Sequence, residues 1–590
     1  MMMDVRAPGM GLPSPKGDRL FFSWNVTGTK QVWRLDGPDR FPVQLTGGED
    51  NTSVVEVTPD GKTLVVQRDR KGEENPGLYL LDAAGGPLVA LQHREKVQTH
   101  FQFLTEDGRW LYFRANDQKP DSYVLYRWDL KTNKKEKVLD EPGLWAIDDH
   151  RPDGRLLLRK DVGSMQAEYF ELAPGAATPT PLFGQGEKIE YEAQYAAASG
   201  EVLVLTNKLS DFRRLYRWKE GKFEPVTPEL KWDVYGFAID QARSRILTMT
   251  NEGGYLRLGA LDARTYKPLA LPKLPAADHV VFGYTTRDGR YSTLGVETSQ
   301  SPRTSYVYDW QKKSLVRWVV PSAPEVDTSK FAVPTLESYP ARDGTPIPMF
   351  VRRPSSCPGQ APCPVVVEFH GGPESQAMAG FNPYAQLFVD RGFVFVQPNV
   401  RGSDGYGKKW LDADNGAKRL EVITDIEDCA KFIREKWGKD GKAPKIAATG
   451  GSYGGYSTLM AMTRFAGAYD AGVSNVGISS LLTFLNNTAP YRRILRISEY
   501  GDPEKDQAVL KQLSPVTYVE KTSAPLLLIQ GLTDPRVPAG EAIQIRDSVA
   551  RRNVPVELII FADEGHGAQK RENRVQTLGQ TLLFLEKHLQ

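Results

Sequence analysis

The sequence predicts two domains of different class, an all-β propeller of seven blades followed by an α/β domain built on a mostly parallel sheet. Three observations carry this reading: a turn signal recurring through the first half, a polar Pro/Ser-rich stretch at 320–334, and apolar strand runs alternating with helical patterns beyond it.

The turn signal appears in SPKGDRLFFSW, TPDGKTLVVQ, TEDGRWLYFRA, RPDGRLLLRK, AASGEVLVLT and TRDGRYSTLG, with its glycines at Gly17, Gly61, Gly108, Gly154, Gly200 and Gly289. Successive spacings are 44, 47, 46, 46 and then 89, twice the unit. The missing member falls at QARSRILTMT, where Arg243 and Ser244 stand in place of Asp-Gly. A hairpin turn needs positive φ, which glycine adopts without strain, and a period near ~45 residues with about four strands per unit is the pattern of propeller blades. Seven units fill residues 8–325, and the second domain is expected over 326–590.

In that second domain PVVVEF, GFVFVQPN, KIAATG, GVSNVG, PLLLIQG and VELIIF read as buried strands. DIEDCAKFIREKW, the segment after Tyr453 and the C-terminal stretch to Gln590 read as helices between and after them. Such alternation specifies parallel strands joined by crossovers.

Composition removes several function classes. Lys+Arg total 75 and Asp+Glu 73, so no global field points to nucleic acid or an anionic membrane. No apolar run is long enough to span a bilayer, and the first residues, MMMDVRAPGMGLPSPKG, lack the apolar core of a secretory signal, so the chain reads as cytoplasmic. A trimmed signal peptide would reverse that to a periplasmic or exported location. Three cysteines and seven histidines show no metal-ligand spacing, and no metal or organic cofactor is expected. Cys357 and Cys363 flank PGQAP and are read as free thiols, the alternative being a small disulfide loop in an oxidising compartment.

The chemistry concentrates in KIAATGGSYGGYSTLMAM, which reads as strand, sharp turn and helix with Gly450, Ser452 and Gly454 in the G-x-S-x-G pattern of a nucleophile elbow. With 53 glycines in the chain this pattern arises by chance roughly 0.3 times, so context has to decide. Asp534 follows the strand LLLIQG and His566 follows ELIIF, the order Ser, acid, His that this strand–turn–helix context requires. A serine hydroxyl needs an imidazole to take its proton and a carboxylate to orient that imidazole. Asp563 and Glu564 are the nearest rivals to Asp534. VVVEFHGGP ends another strand and offers backbone N–H groups of His370, Gly371 and Gly372 to an oxyanion, with the N–H of Tyr453 as a further donor.

ESYPARDGTPIPMFVRRP, EFHGGP, PNVRGSDGYG, GGSYGGY, GLTDPRVP and DEGHG, in that order, resemble the prolyl oligopeptidase family of serine peptidases, most closely its acylaminoacyl-peptidase branch. The resemblance covers about residues 337–567; the blades match only loosely. It implies an α/β-hydrolase domain capped by a propeller that admits short peptides. Ser452, Asp534 and His566 then match the triad, Gly372 and Tyr453 the oxyanion donors, and Arg536 an arginine that holds a substrate carbonyl. Family members often assemble through hydrolase-domain or propeller edges, so a homo-oligomer is an expectation. HGGP and GGSYGGY differ from the YGGF and GGSNGG of true prolyl oligopeptidases, which disfavours a strict proline preference. Dipeptidyl peptidases hold a free amino terminus with a propeller glutamate pair; Glu73-Glu74, in KGEENPG, reads instead as a solvated turn. The alternatives to the peptidase are a dipeptidyl peptidase or carboxylesterase on the same triad, or a propeller binding platform with a vestigial hydrolase half.

Overall fold

The computed structural model describes residues 2, 5, 8–323, 325–357 and 362–590. Seven small antiparallel sheets succeed one another along the chain between Leu12 and Val319. The turn glycines Gly17, Gly61, Gly108, Gly154, Gly200 and Gly289 take φ between 68° and 88°, as hairpin chemistry demands. At the degenerate sixth turn Arg243 itself takes φ 52°, a position costly for a side chain. Its guanidinium is held by Asp149 Oδ1 at 2.7 Å and by the carbonyls of His150 and Tyr195, which offsets the strain.

Six sheets have four strands, as expected, but the sixth, Val234–Ile239, Arg245–Asn251 and Leu256–Asp262, has three. The segment that follows carries Pro268, Pro272 and Pro275, which lack the N–H a ladder needs. The ring closes by side-chain packing: Leu20, Phe22 and Trp33 of the first sheet share a buried cluster with Val307, Trp318 and Val319 of the last.

Residues 325–334 of the polar stretch are anchored rather than loose. Phe331 is buried and stacks on Phe381 with ring centroids 4.9 Å apart, and Gln300 Nε2 donates to the Ser329 and Phe331 carbonyls.

Beyond it stands one eight-stranded sheet in the spatial order Thr335–Pro340, Pro346–Arg352, Val394–Pro398, Val365–Phe369, Ile446–Gly451, Ala471–Asn475, Leu526–Gly531 and Val556–Phe561. Pro346–Arg352 runs antiparallel to both its neighbours, and the six strands that follow it in this order are parallel to one another. Helices Pro383–Asp390 and Arg571–Leu589 cover one face; Asp425–Lys436, Tyr453–Met462 and Gly540–Ala550 cover the other. Strands covered on both faces are apolar throughout, which is why they read as continuous runs.

Cys357 and Cys363 form a disulfide, correcting the expectation of two free thiols. Their Cα atoms lie 4.9 Å apart, inside bridging range. Cys429 is free and buried on helix Asp425–Lys436.

The propeller is fastened to the α/β domain at several points. Arg213, buried, donates to Glu190 at 2.7 Å and to Asp404 of the second domain at 3.1 Å. His279 Nε2 donates to the Ala379 carbonyl at 2.8 Å while its Nδ1 accepts from Leu256 N, which fixes the tautomer. No helix is long and apolar enough to cross a membrane among the described residues.

Candidate active site

Ser452, Asp534 and His566 each follow a parallel strand, Ile446–Gly451, Leu526–Gly531 and Val556–Phe561 respectively, so all three emerge at the same edge of the sheet. Ser452 sits at φ 59°, ψ −117°, a conformation that L-residues rarely occupy. The glycines around it are there for space. A Cβ on Gly450 would lie 2.4 Å from the Phe369 carbonyl oxygen, one on Gly454 would lie 1.9 Å from it, and one on Gly455 would lie 2.7 Å from Gly477 Cα. The strand–turn–helix junction is therefore tight, and it presents Ser452 at the N-terminus of helix Tyr453–Met462, where developing negative charge is favoured.

His566 Nδ1 donates to Asp534 Oδ2 at 2.7 Å. Asp534 is fixed in turn, its Oδ1 accepting from the N–H groups of Arg536 at 2.8 Å and Val537 at 3.0 Å. The rival carboxylates are occupied elsewhere. Asp563 pairs with Lys570 at 2.7 Å, and the buried Glu564 accepts from the N–H groups of Gln569 and Lys570. Ser452 Oγ makes no hydrogen bond to His566 among the described residues. Such bonds commonly tighten only when substrate is present.

The HGGP turn lies beside the nucleophile, since a Cβ on Gly371 would be 3.6 Å from Ser452 Cβ. Gly372 takes φ 126°. Its N–H, and that of Tyr453 at the first helical position, have no partner among the described residues, as suits groups awaiting an oxyanion. Burial lowers the pKa of the His370 imidazole, which bridges the Gly371 carbonyl at 2.8 Å and Ser403 Oγ at 2.7 Å and so braces the turn.

Three further groups steady this turn, and sequence reasoning missed them. Arg496 Nη1 donates to the Gly372 carbonyl and to Glu374, both at 3.4 Å, and its Nη2 donates to Ser164 Oγ at 2.9 Å. Ser164, on a propeller hairpin, also donates to Glu374, and its N–H donates to Ser498 at 2.7 Å. A propeller side chain thus shares the network that shapes the expected oxyanion turn. The only signal was Glu374 standing next after HGGP.

Beneath the elbow, Arg419 is fully buried between Asp414, at 2.8 Å, and Glu499. Its guanidinium packs over the rings of Tyr453 and Tyr500, and Tyr453 Oη donates to Asp414 at 3.2 Å.

Glu74 needs correcting. It is not a solvated turn residue: both its carboxylate oxygens accept from Arg536 Nε at 2.8 Å, across the domain boundary. The same turn reaches the candidate triad, because Thr533 Oγ1 donates to the Lys71 carbonyl at 2.8 Å and Gly72 packs on Gly565. Glu73 points away and pairs with Arg70. Glu74 and Arg536 line a cavity of about 460 Å³ between the domains, with Tyr491, Arg492, Arg114 and Tyr123. Among the described residues no cluster of three His, Cys, Asp or Glu is arranged to hold a metal ion.

Residues 379–590 match the profile of the Prolyl oligopeptidase family. The chain is 29% identical over 596 aligned residues to dipeptidyl aminopeptidase BIII of Pseudoxanthomonas mexicana, covering 95% of this chain and 84% of that one. It is 24% identical to the human acylamino-acid-releasing enzyme over 47% of this chain and 39% of that enzyme. A solved structure from a study of two prolyl endopeptidases superposes with a TM-score of 0.86 at 20% identity, covering 100% of this chain and 90% of that one. A puromycin hydrolase superposes with a TM-score of 0.84 at 19% identity, covering 99% and 95%.

Proposed function

We propose that the chain, whose residues 379–590 match the prolyl oligopeptidase family of serine peptidases, cleaves short peptides by an acyl-enzyme route on Ser452, His566 and Asp534. The observation that carries the assignment is the strained Ser452 at the same sheet edge as a His566 held at 2.7 Å by a buried Asp534. Ser452 Oγ attacks the scissile carbonyl as His566 Nε2 takes its proton, and Asp534 holds the other ring nitrogen and stabilises the imidazolium. The Gly372 and Tyr453 N–H groups receive the oxyanion; His566 returns the proton to the leaving amine, and water then releases the acyl group. The propeller closes the site to all but short or unfolded chains.

An acylaminoacyl-peptidase or oligopeptidase mode is the first reading. A dipeptidyl aminopeptidase mode is the second, favoured by Glu74, a carboxylate next to the candidate triad that a substrate α-ammonium could share with Arg536. Turnover of matched anilides, N-acetylated or with a free amine, beside a simple aryl ester separates them. Free-amine dipeptidyl anilides cut roughly tenfold better than blocked ones, with that advantage lost in Glu74→Gln, is the result expected of the second reading. Better cleavage of the blocked series supports the first. Ester hydrolysis without any anilide or peptide cleavage overturns both in favour of a carboxylesterase.

The disulfide supports the periplasmic or exported alternative over the cytoplasm, because such bonds persist where thiols are not kept reduced. Alkylation of the denatured chain without reductant is expected to label Cys429 alone, and after reduction all three cysteines. Three labelled thiols before reduction would remove this support.

A further inference from the structure

The charges lining the interdomain cavity do not all have partners. Arg536 is taken by Glu74, and Asp161 by Arg159 at 3.0 Å; Asp69 is held by the N–H groups of Glu74 and Asn75. Arg496, one turn further along helix Pro490–Tyr500, is neutralised by Glu374. Arg492 is different. Its guanidinium has no hydrogen bond, ion pair or ring partner among the described residues, although it lines the cavity and feels the like charges of Arg536 and Arg496. Arg114, also on the cavity lining, is by contrast partly satisfied: its Nη1 donates to the Trp145 carbonyl at 3.3 Å and its guanidinium lies 4.5 Å from the Tyr123 ring, while its buried Nε has no partner among the described residues. A half-buried cation with no directly paired carboxylate, beside two other arginines, is costly to keep unless an anion visits.

Position says which anion. Arg496 touches the Gly372 carbonyl at the expected oxyanion turn, and Arg492 stands about one helical turn away from it, toward the Arg536–Glu74 pair. A peptide running from Ser452 toward Glu74 passes Arg492 within about two residues of the scissile carbonyl, at ~3.8 Å per residue. The fork of a guanidinium suits a carboxylate, which it can hold by two parallel hydrogen bonds. We infer that Arg492 is a specificity-determining residue that selects substrates with an aspartate or glutamate at the first or second residue on the acyl side of the cleaved bond.

This inference rests on the peptidase reading, and its test separates the two. The full-length protein is assayed with anilide peptides that differ only as Asp against Asn, or Glu against Gln, at each of those two positions, with free and acetylated N-termini. The acidic member is expected to be cut at least ~10-fold better in kcat/KM at one position. The advantage is expected to vanish in Arg492→Gln, survive in part in Arg492→Lys, and be accompanied by unchanged kcat/KM for neutral peptides. Equal or poorer cleavage of the acidic member by the unaltered protein at both positions overturns the inference, whether or not the variants fold. So does a preference that persists in Arg492→Gln. Neutral and acidic peptides cut alike thus remove the inference and leave the peptidase standing, whereas no cleavage of any peptide removes both.

Discussion

Ser452→Ala is expected to fold normally and to lose peptide turnover by a factor on the order of 10⁶ in kcat, the remaining rate coming from binding and the oxyanion donors alone. The loss is expected to be large because the proposed acyl carrier is gone: His566 is held by Asp534, and the N–H groups of Gly372 and Tyr453 would only stabilise charge. Folding is spared because Ser452 Oγ has no hydrogen bond to lose among the described residues, while the backbone bonds from Ser452 N to Asn475 O at 3.0 Å and from Tyr456 N to Ser452 O at 2.9 Å remain. Turnover within tenfold of the parent, about 1.4 kcal/mol in barrier, would refute the assignment.

The backbone adds a second readout. At φ 59°, ψ −117° a Cβ costs about 1–3 kcal/mol, which glycine escapes. Ser452→Gly should therefore be as inactive as Ser452→Ala and yet unfold at higher urea. The strain is what aims the hydroxyl, and the parent tolerates it because the surrounding glycines let strand and helix lock the turn. Asp534→Asn belongs to the same argument. Asp534 accepts on one oxygen from two backbone N–H groups and on the other from His566, so an amide in its place must present a donor to a donor on one side. A fall of about 10⁴ in kcat is expected from the wrong imidazole tautomer.

What could be read from the sequence is what is encoded locally. The Asp-Gly turns impose their conformation over four residues, and the parallel strands announce themselves as unbroken apolar runs, so the propeller, the sheet and the order Ser452, Asp534, His566 were legible. Even the odd turn at Arg243 was visible as a missing glycine, though not that its sheet would lose a strand to the prolines that follow. The remainder depends on contacts between residues far apart in the chain. Glu74 and Arg536 are separated by 462 residues, and Ser164 and Glu374 by 210. A glutamate in a polar turn carries no local sign of facing a catalytic loop, because a solvated carboxylate and one awaiting a partner from the other domain have the same neighbours in sequence. Cys357 and Cys363 failed differently: six residues apart, they were close enough to pair, but spacing alone does not fix the distance between their Cα atoms.

Arg419→Met is expected to cost about 3–5 kcal/mol of stability near neutral pH, seen as a lower urea midpoint, and to slow turnover as well. Arg419 and Asp414 are buried to 0% and 1% side-chain exposure and Glu499 to 4%, so no water compensates the two carboxylates once the guanidinium is gone. Burial already raises the carboxyl pKa of both, and removing the cation raises them further. The folded chain then holds protons that the unfolded chain releases, so the stability those protons supply is present in acid and lost as pH rises through the raised values. The deficit should therefore shrink as pH is lowered from about 8 to about 5. Adding Asp414→Asn and Glu499→Gln to the variant should restore much of the stability at neutral pH, because it removes the stranded charges rather than replacing the cation. Turnover should not return with it. Tyr453, the expected oxyanion donor, keeps its ring in place by packing on Arg419 and by its hydrogen bond to Asp414, and the triple variant replaces both partners. Recovery of stability and activity together would mean that the cluster serves the fold alone; recovery of stability without activity would locate its work under the nucleophile elbow.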